Sequence, residues 1–464
     1  MKTHWFQSAI DSIAERGREL LGLEHTDENK NNLYPLCQQL LTSQGEASGV
    51  ALSQEILYVY EYFNNEEKLG FFSLLATEFN PNLKQLHTAT ENYFKSQSAK
   101  DLVDLNSAVE APRQELFRRL NMAPNGTAKL VSFRADLLGV LKETPPLISV
   151  DSDLKHVLSS WFNRGFLQLR NIDWTSPAHI LEKLINYESV HEIRDWHDLR
   201  RRLMKDRRCF AFFHPAMPDE PLIFIEVALV KGLADKITQL IETDATVLDP
   251  KQTDTAIFYS INNTQTGLRG ISFGNFLIKQ VLTELTHEFP WLKISSTLSP
   301  VPSFAASLQK WLSGDTSHEH DAIFEKITQQ HIESIKRVAT QHGLEPLSPV
   351  SSLLAGILND YLEPTNNTLS ELLGDLALAY LTTPGTNGKL SDPVAMFHLS
   401  NGARLERINT YADISAKGIS NSHGVMVNYL YDLADVERNH EAFASKGRIV
   451  MSAILRKKYN QFMV

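Results

Sequence analysis

Three short stretches of the sequence hold residue types able to do chemistry. The segment Thr264-Gln-Thr-Gly-Leu-Arg-Gly-Ile-Ser-Phe-Gly-Asn-Phe-Leu-Ile-Lys279 follows a strand-like run and opens an amphipathic helical pattern. Gly267, Gly270 and Gly274 fall in the turn and the start of that helix. Glycine permits close backbone approach and positive φ, and a helix N-terminus offers free N–H groups at the positive end of its dipole. Together these suit a phosphate, to which Arg269 would add a charge-assisted contact. There is no Gly-x4-Gly-Lys-Ser/Thr and no Gly-x-Gly-x-x-Gly, so neither a P-loop nor a dinucleotide fingerprint is supported. A strand–helix connection with no ligand carries the same pattern equally well.

The second stretch surrounds Ser299. Pro300 holds it extended, and it closely follows the strand-like Leu292–Ser296. A hydroxyl at a strand end can reach a substrate carboxylate, but pattern alone does not separate Ser299 from Ser295, Ser296, Thr297 or Ser303, or from a simple turn residue. The third is Val394–Leu399, read as a strand that ends before Asn401-Gly402, a type I′ hairpin signal. Period two puts Val394, Met396 and His398 on one face, where apolar neighbours lower an imidazole pKa. The chain has 16 histidines, so counting does not select this one. His318-Glu-His320 has no third metal ligand in sight and is expected on a solvated helical face. His214 is expected to be architectural, and Cys209 a buried structural thiol. Asn125-Gly-Thr127 and Asn366-Asn-Thr368 resemble glycosylation acceptors without any sign of secretion.

The elements that must position these residues change character along the chain. Leu69, Phe72, Ala76 and Phe79 share one helical face, as do Leu130, Phe133, Leu137 and Leu141, and Leu154, Leu158 and Trp161. Asn80-Pro81-Asn82, Pro124-Asn125-Gly126 and Thr144-Pro145-Pro146 punctuate them as short connectors. After about residue 160 come β-branched and aromatic runs, Pro221–Val230, Ala256–Ile261 and Leu292–Ser296, with helical patterns between them. The expected organisation is a helical bundle over 1–160, then an α/β domain over 161–464, with 303–390 mostly helical.

Composition narrows the function. The 464 residues are 42% hydrophobic, with 45 basic against 55 acidic side chains, a formal charge of −10. That disfavours non-specific nucleic-acid binding, which needs a basic footprint. Two cysteines cannot build a disulfide framework. No apolar run reaches the ~18 residues of a membrane span, and neither end carries an address, so a cytoplasmic protein is expected.

Several dense blocks in order carry a resemblance. They are Arg207-Arg-Cys-Phe-Ala-Phe-Phe-His-Pro-Ala-Met-Pro-Asp-Glu-Pro-Leu222, Phe258-Tyr-Ser-Ile-Asn-Asn-Thr-Gln-Thr-Gly-Leu-Arg-Gly270, Phe289-Pro-Trp-Leu-Lys-Ile-Ser-Ser-Thr-Leu-Ser-Pro-Val-Pro302, Pro393-Val-Ala-Met-Phe-His-Leu-Ser-Asn-Gly-Ala403 and Asn428-Tyr-Leu-Tyr431. In these the sequence resembles the malonyl-CoA decarboxylase family. The resemblance implies a helical oligomerisation domain followed by a GNAT-like acyl-CoA-binding α/β domain, and conversion of malonyl-CoA to acetyl-CoA and CO2 with no cofactor and no metal. It implies a homo-oligomer, a tetramer, built through the helical domains. It puts the acyl-CoA loop on Arg269, Gly270, Ile271, Ser272, Phe273, Gly274 and Asn275, the catalytic serine on Ser299, the catalytic histidine on His398 and a supporting tyrosine on Tyr431. Ser272 departs from it, because some relatives carry an acid there. Two other readings fit the same fold: an acyl-CoA-dependent N-acyltransferase, which needs an amine acceptor, and a non-catalytic CoA-binding scaffold.

Overall fold

The computed structural model describes residues 2–21, 33–271, 273, 277–314, 320–345, 348–360, 367–385 and 388–463. The chain forms two compact units: Met1–Gln168 with Phe212–Leu222 and Asn263–Gly274, and Leu169–Ala211 with Ile223–Asn262 and Asn275–Val464.

The first unit is helical. Among its described residues are α1 (Lys2–Leu21), α2 (Leu33–Thr42), α3 (Glu46–Glu61), α4 (Asn65–Thr77), α5 (Leu83–Ser96), α6 (Ala99–Val109), α7 (Pro112–Leu120), α8 (Gly126–Val140) and α9 (Ile148–Trp161). Local signals start several of them. Asn64 forms a capping box with Glu67 at α4, Asn82 caps α5, and Pro112 opens α7 where its missing N–H costs nothing. The expected connectors fall between α4 and α5, α7 and α8, and α8 and α9. The core gathers on Phe133, whose ring lies 4.7 Å from Tyr60, 5.1 Å from Phe72 and 6.1 Å from Phe117. Each such fully buried ring contributes about 1.5–3 kcal/mol from burial alone.

The second unit is a mixed sheet with helices. Its strands are β1 (Gln168–Ile172), β2 (Arg207–Phe213), β3 (Ile223–Val230), β4 (Thr255–Asn263), β5 (Ile294–Thr297), β6 (Ser299–Pro300), β7 (Arg404–Asn409) and β8 (Met426–Leu430). They run in the order β1-β2-β3-β4-β5-β8-β6, with β7 also on β8. The helices are α10 (Ala178–Tyr187), α11 (Trp196–Arg202), α12 (Thr238–Ile241), α13 (Leu277–Glu288), α14 (Phe304–Leu312), α15 (Asp321–Gln330), α16 (Ile332–Gln341), α17 (Val350–Asp360), α18 (Asn367–Thr382), α19 (Pro393–Ser400), α20 (Ala416–Ser422), α21 (Val436–Lys446) and α22 (Ala453–Met463). Strands β3 and β4 are buried on both faces, and Ile257, Tyr259, Leu298 and Met426 pack with Ile237 and Leu240. Among the described residues no helix is long and apolar enough to cross a membrane.

Two expectations fail here. Val394–Leu399 is not a strand but most of α19. Asp392 caps that helix by accepting from the Ala395 N–H, and Pro393 at its first position presets the helical φ. Asn401-Gly402 is correspondingly a helix stop: Gly402 has φ +81°, and the Ala403 N–H reaches back to the His398 carbonyl. Val394, Met396 and His398 therefore do not share one face. His320 is not on a solvated face; it is fully buried, its ring 5.4 Å from Phe324 and 5.3 Å from Tyr380. His318 lies outside the described residues.

Candidate active site

The chain reaches Ser299 along a broken strand. β5 pairs in parallel with β4 and antiparallel with β8; after Leu298, whose N–H bonds the Phe258 carbonyl, β6 pairs with β8 again through Ser299↔Val427. Pro300 donates no hydrogen bond, and β6 ends the strand order, where a proline is tolerated. β8 places Tyr429 and, two residues on, Tyr431, whose N–H bonds the Ser295 carbonyl. Helix α19 delivers His398 from its last turn.

These elements bring three expected site residues within hydrogen-bond distance. His398 Nε2 lies 3.0 Å from Ser299 Oγ, and His398 Nδ1 lies 2.8 Å from the Tyr431 hydroxyl. The Ser299 hydroxyl donates to Thr297 Oγ1 at 2.9 Å, which also accepts from the Tyr429 N–H at 3.1 Å. The Tyr429 ring stacks on the imidazole, centroids 4.6 Å apart and planes 25° from parallel. All of these residues are buried. Burial pushes His398 down to about 3 and Tyr431 well above its ordinary value, so both are neutral at pH 7. Burial also raises Asp392, the α19 cap, to about 6.

The glycine segment belongs to the first unit as far as Gly274. Gly270 has φ +76°, Arg269 is exposed, and Ile271 and Phe273 are buried. Ser272, Gly274 and Asn275 lie outside the described residues. Gly267 serves packing: a Cβ there would overlap the Val131 carbonyl of α8. Buried Arg134 grips the turn from behind, its Nη1 donating to the carbonyls of Gly267 at 2.6 Å and Arg269 at 2.9 Å while its Nε meets Asp151 at 2.8 Å. Lys155 of α9 brings Nζ to 3.2 Å from where a Cβ on Gly270 would stand.

Sequence reasoning missed Arg134, Lys155, Asp392 and Tyr429, and did not separate Thr297 from its neighbours. The dipeptide Asp392-Pro393 was the available signal for a helix start; the others had none. Cys209 is buried, its thiol raised well above its ordinary value by desolvation. His214 is held by the Trp161 carbonyl and the Ala216 N–H, an architectural role. Among the described residues no group of three or more His, Cys, Asp or Glu can hold a metal.

A helical region followed by a mixed sheet that buries a hydroxyl–imidazole–phenol chain is the equipment of an enzyme that moves a proton. The comparisons with known proteins name it further. The malonyl-CoA decarboxylase C-terminal domain profile matches residues 165–463, and the N-terminal domain profile matches residues 79–162. The chain is 36% identical over 358 residues to the mitochondrial malonyl-CoA decarboxylase of Anser anser anser, covering 75% of this chain and 69% of that one. The crystal structure of malonyl-CoA decarboxylase from Rhodopseudomonas palustris superposes with a TM-score of 0.81 at 45% identity, covering 92% of this chain and 99% of that one. The corresponding Agrobacterium vitis structure gives 0.80 at 43%, with the same coverage. This chain belongs to the malonyl-CoA decarboxylase family.

Proposed function

We propose that this chain is a carboxy-lyase of fatty-acid metabolism that decarboxylates malonyl-CoA to acetyl-CoA and CO2. The reading rests on family matches covering both regions of the chain. In the reaction the bond between the α-carbon and the carboxylate breaks, its electrons pass into the thioester as an enolate, and CO2 leaves. The α-carbon then takes one proton, and solvent restores that proton to the enzyme.

The roles follow the chemistry of the buried chain. Ser299 hydrogen-bonds the substrate carboxylate. His398, held neutral by burial, gives the proton from Nε2 to the α-carbon and takes over the negative charge as an imidazolate, which the Tyr431 hydroxyl holds at Nδ1 until solvent returns a proton. Tyr431 orients the ring at Nδ1. General acid catalysis of this kind typically supplies ~10²–10⁴-fold. Arg269, Gly270, Ile271 and Phe273, with Ser272, Gly274 and Asn275 of the same loop, hold the CoA phosphates; what supports this is the exposed cation beside a positive-φ glycine. The helical region 1–160 serves assembly into a tetramer and 161–464 serves catalysis, in the cytoplasm. The exposed apolar side chains Leu83, Phe94, Val103 and Val109 on α5 and α6 support an interface there.

The test is an assay of acetyl-CoA and CO2 from malonyl-CoA. Equimolar products are expected from the wild type, and release of CoA only when an amine acceptor is added would favour acyl transfer instead. Full turnover by both Ser299→Ala and His398→Ala would refute the assigned roles.

A further inference from the structure

We propose that Thr297 is a positioning residue that sets the direction of proton donation in the Ser299–His398–Tyr431 chain, making the serine a hydrogen-bonding group and never a nucleophile. The inference deepens the functional reading above and rests on those three residues forming the site.

Each proton along the chain has one place to go. A serine hydroxyl has one proton to give. In the resting site it goes to Thr297 Oγ1 at 2.9 Å. That oxygen is fixed in place, because it also takes the Tyr429 N–H at 3.1 Å and the Thr297 carbonyl takes the Asn428 amide at 2.7 Å. With the Thr297 hydroxyl proton turned away from Ser299, the 3.0 Å contact between Ser299 Oγ and His398 Nε2 is filled by a proton on the nitrogen. The imidazole is neutral, so its other nitrogen is bare, and Nδ1 accepts from the Tyr431 hydroxyl at 2.8 Å. A serine activated for attack needs the opposite arrangement, a bare Nε2 ready to accept. Here the nitrogen facing Ser299 is already loaded, as a donor to a developing carbanion must be. When substrate arrives, the Ser299 O–H turns from Thr297 to the carboxylate while Nε2 keeps its proton.

Histidine-selective ¹⁵N NMR of the full chain reads the tautomer directly, with the His398 signal assigned by its loss in His398→Gln. A protonated Nε2 and bare Nδ1 are expected. Thr297→Val removes the acceptor, so the Ser299 hydroxyl turns to the ring. The tautomer is then expected to reverse, and kcat to fall about tenfold with KM little changed. Thr297→Ser should restore both, a rescue that a purely structural role of the methyl group would not give. Mass spectrometry during turnover should find no acyl group on Ser299. A wild-type ring protonated at Nδ1, an acyl-Ser299 adduct, or Thr297→Val with unchanged tautomer and kcat would each overturn the inference. If Thr297→Val does not fold, the wild-type tautomer and the adduct search still decide. A wild type carrying the proton on Nε2 but releasing no CO2 would support the proton assignment while sinking the decarboxylase reading.

Discussion

The serine–histidine–tyrosine chain and the glycine loop are the two regions to which chemistry attaches, and they are built in opposite ways. In the first, both imidazole nitrogens are engaged, the surroundings are buried, and the contacts are in place before any substrate arrives. In the second, the fixed interactions lie behind the loop, where Arg134 holds two carbonyls, and Arg269 faces solvent. A dry preorganised site acts on the transition state. A wet cationic turn acts on binding, and weakly, because solvent and salt screen it. The first region should therefore set kcat and the second KM.

The sharpest way to break that division is at the chain itself. His398→Ala and Ser299→Ala should lower kcat by about 10²–10⁴-fold while KM moves no more than a few-fold, measured by steady-state kinetics with malonyl-CoA. An equal rise in KM would mean that the cluster binds rather than reacts. The loop has its own strong test. Gly267→Ala forces a methyl group against the Val131 carbonyl, so backbone must move. Overpacking of this kind should cost about 3 kcal/mol in a denaturant titration. Surviving enzyme should show a raised KM and a kcat near the wild type.

The same contrast explains what could be read without a structure. The runs Pro221–Val230 and Ala256–Ile261 became β3 and β4 nearly in place, because a strand buried on both faces must be continuously apolar, while Leu292–Ser296 became the short, largely hydroxyl-bearing β5. α19 was misread because apolar residues on both sides of His398 fit either period, and the decision lay in Asp392-Pro393 and Gly402, which act on backbone ends rather than on faces. Ser299 and His398 are 99 positions apart, and no local pattern reports a contact at that distance. Their positions came from the resemblance, as did that of Tyr431. Gly267 was visible as a glycine, but its reason was not: the partner is a helix more than a hundred residues earlier, and the gripping Arg134 looked like any helical arginine.

Burial of the chain should also show in its pH response. His398 stays neutral in the folded protein down to about pH 3, whereas the unfolded chain binds a proton near pH 6.5. Between these values the unfolded state holds more protons, so stability falls as the pH is lowered through 6.5. This one group should cost about 2 kcal/mol at pH 5. Denaturant titrations at pH 7 and pH 5 should show the wild type losing about that much more than His398→Gln. Equal losses would mean that the folded ring is hydrated and titrates near its ordinary value, and the contrast with the loop would weaken.

The smallest effect belongs to Lys155. Its Nζ stands beside Gly270, on the side where that glycine has no Cβ, with Arg269 next in the chain. Two partly solvated cations at a positive-φ turn suit a phosphate, but each contact should be worth under about 1 kcal/mol. Lys155→Ala should therefore raise KM for malonyl-CoA only a few-fold and leave kcat alone. Because the attraction is screened, the difference from the wild type should shrink as ionic strength rises. Lys155→Arg should recover most of the loss, since it keeps the charge, whereas a lysine that merely packs against α9 would be replaced better by methionine. Rescue by methionine rather than arginine would remove the loop from substrate binding and leave Gly270 a feature of the fold.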